Sequence, residues 1–96
     1  MILEHAILSV RAGSEVEFEA AFKQARPLIG GQPGFRSLSL SRSMESPNLY
    51  VLLVEWNSVE AHTHGFRASP EYELWKGLLH HFYDPFPVVE HFVQVK

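Results

Sequence analysis

The chain has 96 residues, which is one domain's worth and too little for two. Its net charge of −3 and lack of any basic run disfavour nucleic acid, and the absence of cysteine removes disulfides, thiolate metal sites and a cysteine nucleophile. No apolar run nears the ~20 residues of a membrane span, and the N-terminus carries no signal-peptide pattern, so a cytoplasmic protein with no membrane partner is the expectation.

Ile2 to Val10 alternates as a strand. Ile2, Glu4, Ala6, Leu8 and Val10 share one face, and Leu3, His5, Ile7 and Ser9 the other. After the Arg11-Ala12-Gly13 turn, Ser14 and Glu17 have the spacing of a capping box. Phe18, Phe22, Ala25 and Ile29 then recur at helical spacing. Pro27 removes one helical hydrogen bond and predicts a loosened last turn, Gly30-Gly31 ends the helix, and Pro33-Gly34 makes a turn.

Phe35 to Met44 predicts a second strand. Leu38 and Leu40 alternate there with Ser37, Ser39 and Ser41, as on an edge strand or one lining something polar. Glu45-Ser46-Pro47-Asn48 has the composition of a hairpin turn. Leu49 to Trp56 is apolar on both faces, which suits a central strand. Asn57 with Glu60 spells a second capping box before a short helix near Ser58–Phe66. Ser69 caps the next helix, with Pro70 at its first position. Tyr72, Trp75, Leu79 and Phe82 form one stripe on it, and Asp84-Pro85-Phe86-Pro87 ends it. Val88 to Val95 predicts the last strand, with Val89, His91, Val93 and Val95 on one face.

The order β-α-β-β-α-α-β over a single domain, residues 1–96, predicts a ferredoxin-like α+β fold: a four-stranded antiparallel sheet with its helices on one face. The other face stays apolar and needs cover. A second copy of the sheet supplies it most simply, giving a homodimer in the form of a dimeric α+β barrel.

The chain resembles the antibiotic biosynthesis monooxygenase family across nearly its whole length. The resemblance lies in Ala6 to Gly13 with the acidic helix start, in Ala25-Arg26-Pro27 and Gln32-Pro33-Gly34-Phe35, in Val54 to His62, and in Ser69-Pro70-Glu71-Tyr72. These motifs are turns, caps and a core Trp, and they specify the fold better than the chemistry. The resemblance implies a cofactor-independent monooxygenase on a small aromatic such as a quinol or anthrone, with no cofactor and no metal. The alternative it leaves open is a non-catalytic small-ligand-binding or stress-response barrel. Members that degrade haem use an Asn on the first strand with a Trp and a His on the helical segment. The matching positions here look like Ala6, Phe66 and Lys76, so haem degradation is not expected. Many members carry a His just before the Ser-Pro step, where this chain has Phe66.

Such an oxygenase must hold a planar substrate, remove a proton and stabilise an oxyanion. Residue type and position offer His64 or His81 as the base, Tyr72 and Arg67 as phenol or oxyanion partners, and Trp56 and Trp75 as walls. The aromatic set reads more readily as core than as the lining of a flat pocket between helices and sheet. His62 and His64, two apart on a helix, point in different directions and cannot readily share a metal. Of His80 and His81, one is expected to be buried and one exposed. His5, Glu55 and His91 are expected to meet on one sheet face, either as a satisfied polar cluster or as a pH-sensitive dimer switch.

Overall fold

A computed structural model describes residues 1–96. The elements are β1 (Ile2–Ser9), α1 (Glu15–Gly30), β2 (Phe35–Arg42), β3 (Leu49–Trp56), a π-helical segment (Ala61–Phe66), α2 (Pro70–Leu79), a 3₁₀ turn (His80–Phe82) and β4 (Val89–Phe92). The four strands form one antiparallel sheet in the order β2-β3-β1-β4, so β3 is central and β2 is an edge, as their side-chain patterns predict.

Strand alternation sorts the side chains. Ala6, Leu8 and Val10 of β1 and its extension, with Tyr50, Leu52, Val54 and Trp56 of β3, are buried beneath the helices. Phe18, Phe22, Ala25 and Ile29 of α1 fill the same core. Phe18 sits among Tyr50, Phe82 and Tyr83 with ring centroids 4.9 to 6.0 Å apart. Trp75 and Leu79 of α2 are buried beside it, so the aromatic stripe is largely core. The opposite sheet face carries Leu3, Ile7, Leu49, Val51, Leu53 and Phe92, none of them fully buried, with Ile7 43% and Phe92 47% exposed.

Several local expectations are corrected. Ser14 makes no side-chain cap. The Glu15 carboxylate instead accepts from the Gly13 N–H at 3.0 and 3.1 Å, so the reach-back comes from the first helical residue and not from Glu17. Pro27 does lie in the last turn of α1, which ends at Gly30 as its glycine pair predicts. Asn57 is not a cap: its Oδ1 accepts from Arg36, while Ser58 Oγ accepts from the Ala61 N–H at 3.2 Å. Ser69 does cap α2, accepting from the Tyr72 N–H at 3.2 Å with Pro70 in the first turn. The last strand is shorter than expected, running from Val89 to Phe92, paired with Leu3 to Ala6 of β1.

Candidate active site

Glu4 is the one acidic residue on the buried face of β1, and it is only 5% exposed. Its Oε1 accepts from the Trp56 indole Nε1 at 2.9 Å. His62, 4% exposed, enters from the π-helical segment, with Nε2 3.4 Å from the same Oε1. The His62 ring stacks on Trp56, centroids 5.4 Å apart and planes 15° from parallel. Its Nδ1 lies 2.9 Å from His91 Nε2 on β4, and which nitrogen carries the shared proton follows from the tautomers.

The local backbone sets this up. A π-helical turn closes i→i−5 bonds, here from the Arg67 N–H to the His62 carbonyl at 3.0 Å. The wider turn directs His62 inward while His64 stays exposed. On the strands, Glu4 pairs with Val54 on one side and His91 on the other, so all three point under the helices.

Burial raises the Glu4 carboxyl above its usual range, opposed by the indole bond and by the positive charge of Arg67. Burial, then Arg67 and His91, push His62 down to about 3. A His62 that stays neutral is not an ion-pair partner of Glu4, despite the 3.4 Å approach. His91 is also lowered, by burial and then Arg67, and His80 by burial and then Lys76.

Glu4 and His62 form the floor of a cavity of about 80 Å³ between the sheet and the helical lid. Arg67, Tyr72, Trp75, His80 and Tyr83 contribute to its walls, and Ala6, Leu52 and Phe66 its apolar lining. Phe86 and Pro87, on the loop before β4, also line it. Phe86 is 60% exposed and meets His80 edge-on at 4.9 Å and Tyr83 at 6.0 Å.

Of the residues that the sequence offers, Arg67, Tyr72 and Trp75 line this cavity together. Trp56 is completely buried and does not line the cavity itself; it packs behind the lining residues Glu4, His62 and Phe66. His64 and His81 are exposed and do not line it. His64 lies 3.3 Å from the Thr63 hydroxyl, and the His81 carbonyl accepts from Arg11. Of the paired His80 and His81, the former is half-buried, as expected for one of the two. The expected His5–Glu55–His91 cluster does not form. His5 and Glu55 lie on the outer face, where His5 packs on Phe92 at 5.6 Å and Glu55 accepts from Ser37 at 2.7 Å, whereas His91 faces His62. Glu4 and His62 escaped the sequence reading as site residues. A lone carboxylate on the apolar face of β1 was the available signal.

Comparison with known proteins bears on this geometry. Residues 1–77 match the sequence profile of the antibiotic biosynthesis monooxygenase family. YczJ of Bacillus subtilis (strain 168), an uncharacterized protein, is 55% identical over 95 residues, 99% of this chain and 100% of that protein. A Bordetella bronchiseptica structure, provisionally assigned as an antibiotic biosynthesis monooxygenase, is 37% identical with a TM-score of 0.93, covering 99% of this chain and 97% of its own. SnoaB, a cofactor-independent oxygenase from Streptomyces nogalater, shares the fold, with a TM-score of 0.79 at 24% identity over 99% of this chain and 93% of that one.

Proposed function

This chain belongs to the antibiotic biosynthesis monooxygenase family, and on that footing we propose that it is a cofactor-independent monooxygenase of a small, electron-rich aromatic, quinol-like or anthrone-like. The observation that carries the reading is a buried carboxyl–imidazole pair opening on an aromatic-walled cavity with a cation at its edge. Both contacts to Glu4 fall on Oε1, which leaves Oε2 for a substrate.

In this reading Glu4 removes a proton from the activated carbon. Burial that raises its affinity for a proton makes it a stronger base once ionised. Arg67 and the Tyr72 hydroxyl stabilise the oxyanion that forms, and Trp75 is a wall for the ring. The carbanion passes one electron to O₂, and the radical pair recombines to a peroxide. Loss of water then leaves a carbonyl: the carbon gives up two hydrogens and gains one oxygen atom, and the other oxygen departs in the water.

The second reading is a non-catalytic small-ligand-binding or stress-response barrel. It is favoured by the cavity's size. About 80 Å³ holds two or three waters at ~30 Å³ each and falls well short of the ~300 Å³ of ordinary ligand pockets. An aromatic substrate therefore requires Phe86 and Pro87 to swing outward. In either reading the apolar outer face pairs with a second copy, and sedimentation of Val51→Glu against the wild type tests that. A wild type that sediments as a single chain refutes the pairing.

Oxygen uptake with a panel of quinols and anthrones separates the two readings. The oxygenase reading expects uptake that falls ~100-fold or more in Glu4→Gln and Tyr72→Phe. His64→Ala and His81→Ala belong in the same panel, as the two exposed histidines that the sequence offers as bases. Uptake lost in those two and kept in Glu4→Gln would return the base role to them. No uptake on any substrate leaves the ligand-binding reading.

A further inference from the structure

We propose that Glu4, His62 and His91 form a proton relay between the floor of the cavity and solvent at the edge strand β4. The relay takes its use from the oxygenase reading, but its existence is a property of the three side chains.

The three side chains stand in series: the His62–His91 link is a hydrogen bond, and the longer Glu4–His62 link must shorten before a proton crosses it. Glu4 Oε1 lies 3.4 Å from His62 Nε2, and His62 Nδ1 lies 2.9 Å from His91 Nε2. The first two groups are almost wholly buried, while His91 is partly exposed on β4, which pairs on one side only. An imidazole can accept on one nitrogen while it donates from the other, so His62 is built to pass a proton without keeping it.

The step balances. With Glu4 protonated, His62 carries its proton on Nδ1 and shares it with His91 Nε2. The Glu4 proton moves to His62 Nε2 as the Nδ1 proton moves to His91. Glu4 becomes a carboxylate, His62 changes tautomer but stays neutral, and His91 becomes an imidazolium that exchanges with solvent. The reverse order returns a proton to the cavity.

The surrounding charges suit a conduit better than a store. Arg67 favours the ionised carboxylate and disfavours positive charge on both imidazoles. The other titratable groups around the cavity are Tyr72 on α2, His80 in the 3₁₀ turn and Tyr83 after it, and on β3 the Trp56 indole fixes the carboxylate. Burial holds His62 neutral across the ordinary pH range, so it transmits. In the oxygenase reaction, a proton left on Glu4 would return to the carbanion before O₂ could react. Moving it to His91 keeps the carbanion open to O₂ until the peroxide needs a proton.

Histidine ¹⁵N shifts followed against pH test the coupling without any substrate. The relay expects His62 and His91 to change tautomer together, at one shared midpoint set by Glu4, and expects that transition to vanish in Glu4→Gln. An unchanged His91 titration in Glu4→Gln, or a His62 tautomer that stays fixed throughout, overturns it. The kinetic arm uses His91→Phe and the milder His91→Gln. The relay expects kcat for oxygen uptake to fall ~10-fold or more with KM kept, and to be restored by added imidazole. Full activity in both variants overturns the relay, even where the oxygenase reading holds. If the wild type takes up no oxygen, that reading fails and the shared titration alone decides the relay.

Discussion

The Trp56 indole N–H donates to the Glu4 carboxylate at 2.9 Å, across the two central strands of the sheet. The two residues are diagonal neighbours: Glu4 sits opposite Val54 and Trp56 opposite Ile2. Each is costly to bury alone, a carboxyl among apolar groups and an indole with a polar edge, and together they satisfy one another. The same indole presents its face to His62, so one side chain fixes both members of the pair.

Removing that donor separates packing from polarity. Trp56→Phe keeps an aromatic ring but leaves Glu4 without its strongest partner. It should cost about 1–3 kcal/mol for the lost bond, plus a share for the volume removed. The loss should grow toward alkaline pH, where Glu4 must ionise without the indole, and urea unfolding at two pH values measures it. An equal loss at both would mean that the bond does little for the charge.

The two buried titratable groups pull stability in opposite directions. His62 has a folded pKa depressed from 6.5 to about 3, so the unfolded chain binds its proton first as pH falls. Its contribution is present above about 6.5 and is lost on the way down to about 3, by up to about 1.4 kcal/mol per pH unit. Glu4 is raised above 4.5, so its contribution is present below that value and is lost as pH rises through the folded pKa. His62→Asn should therefore be penalised at pH 7 and much less at pH 4, while Glu4→Gln should gain relative to the wild type as pH rises. Parallel stability profiles for wild type and both variants would refute the two assignments.

Gly34 shows how the turn before β2 holds the π-helical segment. Its φ is +83°, and a Cβ there would lie 2.7 Å from the Ala61 Cβ. Gly13 has a similar φ of +92° but open space around it. Both Ala variants pay the left-handed backbone cost of about 1–2 kcal/mol, and only Gly34→Ala must also push the segment away. Gly34→Ala should thus melt several degrees below Gly13→Ala in a thermal scan, with the His62 environment disturbed as well. Equal melting temperatures would show that the contact with Ala61 relaxes freely.

How much of this was legible depends on which residues decide each feature. β3 was readable to the residue, because Leu49 to Trp56 is a run apolar but for Glu55 and bounded by turn residues, although only its Tyr50, Leu52, Val54 and Trp56 face is fully buried. The Ser69-Pro70 start of α2 was readable because its cap and proline are local chemistry. The inward turn of His62 was not, since a π turn differs from an α turn by one residue of hydrogen-bond spacing and leaves no mark in composition. The partner of His91 is hidden for a related reason. Alternation gives its face relative to Val89 and Val93 but not its register on β1, and the one-residue difference between pairing with His5 and pairing with Glu4 exchanges the faces. Glu4 was visible as an acid on an apolar face, yet only the diagonal contact with Trp56 gives it a purpose.

Phe86 bears on the cavity's size, and hence on which molecules the protein accepts. Its ring is 60% exposed, too exposed for a core residue, yet it lines the cavity and meets His80 and Tyr83. Side chains held this way move at little cost. Phe86→Ala should leave stability within about 1 kcal/mol of the wild type, because little apolar area is lost from the core. It should also widen the entrance, so that KM for bulky tricyclic anthrones falls more than KM for single-ring quinols. Phe86→Trp should act in the opposite sense. Oxygen-uptake kinetics with one substrate of each size decide the matter. Equal changes for both sizes, or none, would mean that substrate enters on the Arg67 side and that the loop before β4 is only a wall.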